Sequence, residues 1–262
     1  MIKAAVLGSP ITHSLSPKIH KRAYEILGIA GDYTAVEVNE ETFPNFYAES
    51  SKGNWTGFSL TMPLKEIAIR YCTEVSETAR RINSANTLYR LGNKWYATST
   101  DYLAFANLLE VSADSKVAII GGGGTARAAA GSLNTKVAEI DVLLRSPDRL
   151  VAMTEAAPDV LLNRLEMSAN LDSYDLIIQS TPANVFDGYS QNLKSAQGVL
   201  VKCLYKPWPT ALVNRYTELG GRVISGRDLL VEQALFQIEI FSGVTFDFDS
   251  MRAQLLAHIS KD

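Results

Sequence analysis

The sequence predicts an α/β chain of two domains. One is a doubly wound parallel sheet; the other is an α/β unit built first and completed by the last helices. Three observations carry this. An apolar run over 116–120 feeds Gly121-Gly122-Gly123-Gly124-Thr125-Ala126, which opens an Ala-rich stretch through Leu133. From 116 onward, strand and helix signals alternate, as parallel strands with crossover helices require. The glycine turn begins at residue 121, so a long segment precedes the parallel sheet and must fold around a core of its own.

Taken in order, 4–7 reads as a short buried strand. Ser16-Pro17 starts a helix, with Ser16 as the N-cap and proline at the first helical position. Ile19, Ala23, Ile26 and Leu27 give that helix an apolar face, and Gly28 ends it. The stretch 33–38 alternates like a strand, 57–61 is another, and Pro63 opens a helix through about Cys72. Strands over 86–91 and 94–98 flank Gly92-Asn93, the spacing of a two-residue hairpin turn. Further strands are predicted at 116–120, 140–144, 175–179, 199–204 and 222–225. Helices follow over 228–241 and from about Ser250. With no strand left to follow them, these helices should return to the first domain. The predicted division is residues 1–101 with 233–262 against residues 102–232, with two helices bridging a cleft.

Composition narrows the function classes. Of 262 residues, 47% are hydrophobic and 20% charged, enough apolar content for a substantial core. The formal net charge of -3 offers no basic field for nucleic acid. No apolar run has the length of a spanning helix, and the N-terminal stretch is too short for a secretion signal. Cys72 and Cys203 lack metal-ligand spacing and read as reduced thiols of a cytoplasmic protein. His13 and His20 do not match a zinc pair, and no metal site is expected. The expected partner is a small molecule, with neither nucleic acid nor membrane, and a homodimer is compatible with the sequence.

The glycine turn has the form G-x-G-x-x-A of a Rossmann-type dinucleotide grip. Gly121 permits the tight turn, Gly123 lets backbone amides approach a pyrophosphate, and Ala126 allows close helix packing. Gly124 and Thr125 complete the helix N-terminus on which the pyrophosphate would rest. The second strand ends in Arg145-Ser146, with Arg149 following. Guanidinium groups at this edge suit a ribose 2′-phosphate, so the sequence predicts NADP(H); the competing reading is a solvated basic face. Lys65 stands in the first turn of a predicted helix, where a cation costs about 0.3–1 kcal/mol. That misplacement hints at function, against the plain reading of a surface lysine. Asp101 reads either as an N-cap for the next helix or as a functional carboxylate. Ser14 and Ser16 could hold a carboxylate beside a helix start, or simply cap and connect.

At this point the motifs match a known family. Gly8-Ser-Pro-Ile-x-His-Ser-x-Ser-Pro-x-x-His20, Leu60-Thr-Met-Pro-x-Lys65, Ile82-Asn-Ser-Ala-Asn-Thr-Leu88 and Thr100-Asp101 come first. The glycine turn with Arg127-Ala128, Arg145-Ser146 with Arg149, Ser180-Thr-Pro182, Tyr205-x-Pro-x-x-Thr210 and Gly226-x-x-x-Leu-x-x-Gln-Ala234 follow. In this order, over almost the whole length, the chain resembles the shikimate dehydrogenases, NADP-dependent enzymes of aromatic amino-acid biosynthesis.

The resemblance implies a catalytic pair at Lys65 and Asp101. It implies Ser14 and Ser16 at the substrate carboxylate, and Thr61, Asn86 and Gln233 at the ring hydroxyls with Tyr205 nearby. Arg145, Ser146 and Arg149 would meet the 2′-phosphate; Thr181, Leu204 and Gly226 would neighbour the ribose and nicotinamide. The implied reaction is reversible hydride transfer between NADPH and 3-dehydroshikimate, giving shikimate. Departures from the family pattern are Ser59, Ser99 and Leu144 where Asn is usual, Ala104 for Gly, Lys202 for Asp and Leu229 for Met. They leave open a paralogue acting on quinate, an aminated shikimate or a related cyclic polyol acid. A non-catalytic NADP(H)-binding sensor is a further alternative. Lys202 is expected near a strand end facing the cleft, as a local inversion of charge.

Overall fold

A computed structural model describes residues 1–182 and 184–260. The chain begins with β1 (Ile2–Gly8), α1 (Ser16–Leu27), β2 (Gly31–Glu37), α2 (Phe43–Ser50), β3 (Gly57–Leu60) and α3 (Leu64–Ile67). A 3₁₀ turn at Ala68–Arg70 precedes β4 (Glu74–Val75), α4 (Glu77–Arg81), β5 (Thr87–Leu91), β6 (Lys94–Thr98) and α5 (Thr100–Leu108). These strands form one sheet in the order β2-β1-β3-β5-β6-β4. β1 pairs in parallel with β2 and β3, while β5 runs antiparallel to β3 and β6.

Local chemistry explains most of these boundaries. α1 starts at Ser16, inside the helix; the N-cap position is Leu15, with no side-chain cap. The capping expected of Ser16 is therefore corrected. Ser14 Oγ instead accepts the Ser16 N–H at 3.3 Å, fixing the turn before the helix. Gly28 ends α1 with φ +66°, a conformation that costs glycine nothing. The helix expected over 63–72 is one α-helical turn that tightens into the 3₁₀ turn. That tightening brings Leu64, Ala68, Ile69 and Cys72 all against one core, with Phe43, Phe58 and Trp95. The N-cap reading of Asp101 is also corrected. α5 begins at Thr100, and Ser99 Oγ accepts the Tyr102 N–H at 3.3 Å, which frees the Asp101 carboxylate for other partners.

The parallel sheet comprises β7 (Val117–Ile120), α6 (Gly124–Leu133), β8 (Glu139–Leu143), α7 (Arg149–Ala156), β9 (Leu161–Leu165), β10 (Leu176–Gln179), β11 (Val199–Lys202), α8 (Ala211–Glu218) and β12 (Arg222–Ile224). Its order is β12-β11-β10-β7-β8-β9, all parallel, the doubly wound Rossmann arrangement. β9 was not expected from the sequence. It is an edge strand with no fully buried residue on either face, and its residues show neither clean alternation nor a continuous apolar run. Ile120, Leu143, Ile177 and Leu200 anchor the core of this sheet, with Phe186 and Tyr216 packed beside them.

The chain closes with α9 (Gly226–Ser242) and α10 (Phe248–Ile259). Asp247 caps α10 through the Ser250 N–H at 2.7 Å, and α10 packs on α1. The chain divides into two compact units: residues 1–104 with 230 onward, and residues 105–229. No helix among the described residues is long and apolar enough to cross a membrane.

Candidate active site

In the first unit, four segments bring polar side chains together. β3 ends at Leu60, and the Thr61 N–H bonds Leu7 O at 2.9 Å, so the chain turns at Pro63 into α3 with Lys65 on its first turn. The single turn is too short for a substantial dipole, so the misplacement argument for Lys65 weakens while its position stands. Lys65 O accepts the Ala85 N–H at 2.8 Å, and Asn86 O accepts the Leu60 N–H at 2.8 Å. These two backbone bonds fix Asn86 beside α3. The first turn of α5 supplies Thr100 and Asp101, and α9 supplies Gln233.

The side chains then close a dense network. Lys65 Nζ donates to Asp101 Oδ2 at 2.6 Å. Asn86 Nδ2 donates to the other carboxylate oxygen, Oδ1, at 2.9 Å, and also lies 3.1 Å from Gln233 Oε1. Asn86 Oδ1 accepts the Thr100 N–H at 2.7 Å, which fixes which way the amide faces. Asp101 is only 6% exposed, so an ionised carboxylate there depends on these donors. The Lys65 side chain keeps about a fifth of its surface open, more than Asp101 does.

A supporting layer lay outside the sequence reading. Gln237 donates through Nε2 to Asn86 O at 3.1 Å and to Thr87 Oγ1 at 2.8 Å. Its Oε1 accepts from Ser59 Oγ at 2.6 Å, and Ser59 in turn accepts from Tyr33 OH. His20 stacks on Tyr33 with ring centroids 4.0 Å apart. The signal for Gln237 was its place four residues after Gln233, on the same helix face.

Ser14 and Ser16 are not hydrogen-bonded to this network among the described residues. They sit on the loop after β1 and the first turn of α1. Thr61 connects to the base of that loop, since a Cβ on Gly8 would fall 2.3 Å from Thr61 Cγ2. Only glycine fits there. Ser9 N–H bonds Met62 O at 3.0 Å, and Thr61 itself is half-buried.

In the second unit, Gly121 follows β7 with φ +114°, and a Cβ there would stand 2.6 Å from Ser180 Oγ. Gly123 is the N-cap of α6, has no side-chain cap, and faces open space where its Cβ would be. Gly124, Thr125 and Ala126 form the first turn of α6. Arg145 and Ser146 follow β8, and Arg149 opens α7; all three are exposed. Neither arginine forms an ion pair among the described residues. An uncapped helix N-terminus behind a glycine cradle, flanked by two such arginines, fits a dinucleotide carrying a 2′-phosphate. Thr181, Leu204 and Tyr205 follow the adjacent ends of β10 and β11. Gly226 packs so closely on the latter that its Cβ would lie 2.4 Å from the Leu204 carbonyl carbon. Lys202 is corrected: it does not face outward but is 1% exposed, with its ammonium bonded to Gln179 Oε1.

Comparison with known proteins places the chain in a family. Residues 6–88 match the family described as shikimate dehydrogenase substrate binding domain. A shikimate dehydrogenase (NADP(+)) of an Exiguobacterium species is 29% identical over 253 residues, covering 93% of this chain and 94% of that protein. The crystal structure of Mycobacterium tuberculosis shikimate dehydrogenase superposes with TM-score 0.89 and 34% identity, over 98% of this chain and 100% of that one. The Thermus thermophilus enzyme, in complex with NADP(H) and shikimate, gives TM-score 0.87 and 26% identity over 99% and 100% of the two chains. The chain belongs to the shikimate dehydrogenase family.

Proposed function

We propose that this chain is an NADP-dependent shikimate dehydrogenase, catalysing reversible hydride transfer between NADPH and 3-dehydroshikimate to give shikimate and NADP+. The observation that carries the reading is the Lys65–Asp101 ion pair, locked by Asn86 in a site still open at the lysine. In this reading, the first unit binds the substrate and residues 105–229 bind the cofactor. Arg145, Ser146 and Arg149 hold the 2′-phosphate, and Gly121, Gly123, Gly124, Thr125 and Ala126 hold the pyrophosphate. Thr181, Leu204 and Gly226 flank the nicotinamide end. When bound, the cofactor supplies the hydride.

The chain's own residues handle charge and protons. As the substrate ketone is reduced, its oxygen gains negative charge and needs a proton. The Lys65 ammonium stabilises that oxygen and gives up the proton; in shikimate oxidation the neutral amine takes it back. Asp101 keeps Lys65 in one rotamer, and Asn86 keeps Asp101 in place. Ser14 and Ser16 orient the substrate carboxylate, while Thr61, Asn86, Gln233 and Tyr205 orient the ring hydroxyls. The reading places the reaction in the cytoplasm. Light scattering tests the homodimer that the sequence allows.

The test is reduction of NADP+ and NAD+, read by absorbance, with shikimate, quinate and an aminated shikimate as substrates. Shikimate with NADP+ should be the preferred pair. Preference for quinate or the amine would move the assignment to a paralogue, and no turnover of any pair would leave only a nucleotide-binding protein.

A further inference from the structure

Lys202 ends β11 and is almost fully buried. Its Nζ donates to Oε1 of Gln179, its register partner at the end of β10. Gln179 passes the interaction on: its Nε2 donates to Thr181 Oγ1 at 2.6 Å. The Cys203 N–H bonds Gln179 O at 3.0 Å, so the two strand ends are held together beneath Thr181 and Leu204. Gly226, pressed against the Leu204 carbonyl, closes the third side. Among the described residues, the side-chain hydrogen-bond partner of Lys202 is thus a neutral amide. Burial lowers its pKa, and the nearby Cys203 and Asp187 oppose that shift.

We infer that Lys202 biases the nucleotide site toward the reduced cofactor by placing a buried positive charge under the residues assigned to the nicotinamide end. The inference rests on the proposed reading that residues 105–229 bind NADP(H). NADP+ and NADPH carry the same phosphates; they differ at the ring, which is cationic in NADP+ and neutral in NADPH. A buried ammonium therefore repels only the oxidised form, and weak solvent screening preserves the effect.

The test measures Kd for NADP+ by calorimetry and for NADPH by fluorescence, on the full chain without substrate. Lys202→Met removes the charge and keeps most of the apolar stem, whereas Lys202→Arg keeps the charge. Lys202→Met should strengthen NADP+ binding relative to NADPH by about threefold to tenfold, the scale of one partly screened unit charge in a protein-like medium. Lys202→Arg should leave the ratio of the two Kd values unchanged. If Lys202→Met does not fold, Lys202→Gln provides the same comparison. Equal changes in both affinities, or an unchanged ratio, overturn the inference and leave the proposed activity standing. A wild-type chain that binds neither form overturns both.

Discussion

Lys65 and Asp101 lie 36 residues apart in sequence, yet Lys65 Nζ stands 2.6 Å from Asp101 Oδ2. The second oxygen of that carboxylate is taken by Asn86. Both carboxylate oxygens thus have a donor, and of the two charged side chains Lys65 is the more open.

Asp101→Asn keeps the shape of this side chain and removes its charge. The amide cannot accept from both Lys65 and Asn86 as the carboxylate does. Turnover should fall by about 100-fold, the usual scale for losing acid–base support, with NADPH affinity unchanged. Steady-state kinetics together with a fluorescence titration of NADPH checks both halves of this expectation.

Arg145→Ala and Arg149→Ala each remove an exposed guanidinium that has no ion-pair partner among the described residues, so the fold should tolerate them. Each should weaken NADPH binding by about tenfold or more, because a hydrogen bond to a charged group contributes about 1.5–3 kcal/mol. NADH, which has no 2′-phosphate, should bind as before. Parallel titrations with the two cofactors decide whether these arginines read the phosphate.

Gln237→Leu is close in volume but breaks the bonds to Ser59, Asn86 and Thr87. Leaving buried donors and acceptors unmet should cost about 1–3 kcal/mol of stability. Urea unfolding should show that loss. Because Gln237 supports Asn86, kcat/KM for shikimate should drop as well, while NADPH affinity should not.

His20 gives the fold a pH dependence. Burial lowers its pKa from 6.5 to about 3. Above pH 6.5 both folded and unfolded chains hold it neutral, so it has no effect there. Below 6.5 the unfolded chain gains a proton that the folded chain does not, and stability falls by about 1.4 kcal/mol per pH unit until the folded pKa is reached. Denaturant unfolding between pH 7 and pH 4 should show this slope, and His20→Phe should flatten it.

Much of this architecture was legible in the residues. The glycine turn between an apolar run and an Ala-rich stretch marked β7 and α6, and Gly28 marked the end of α1. The edge strand β9 was not legible, because its half-exposed residues carry no periodic pattern. At the site, local sequence left Asp101 open between a cap and a functional carboxylate, because it does not show that Ser99, two residues earlier, takes the capping role. Whether Asp101 meets Lys65 depends on how β3, β5 and α5 converge, a long-range matter that no local window records. The same is true of Gln237, whose partners lie about 150 residues away in the sequence. Lys202 shows the limit from the other side: its charge was visible, but its burial follows from the register of β10 and β11.

The central claim is that Lys65 moves the proton that accompanies hydride transfer. The most direct measurement is shikimate-dependent NADP+ reduction by Lys65→Met, with NADPH affinity measured on the same preparation. A loss of turnover of about 100-fold or more at unchanged NADPH affinity is the predicted result. Turnover equal to that of the wild-type chain would contradict it.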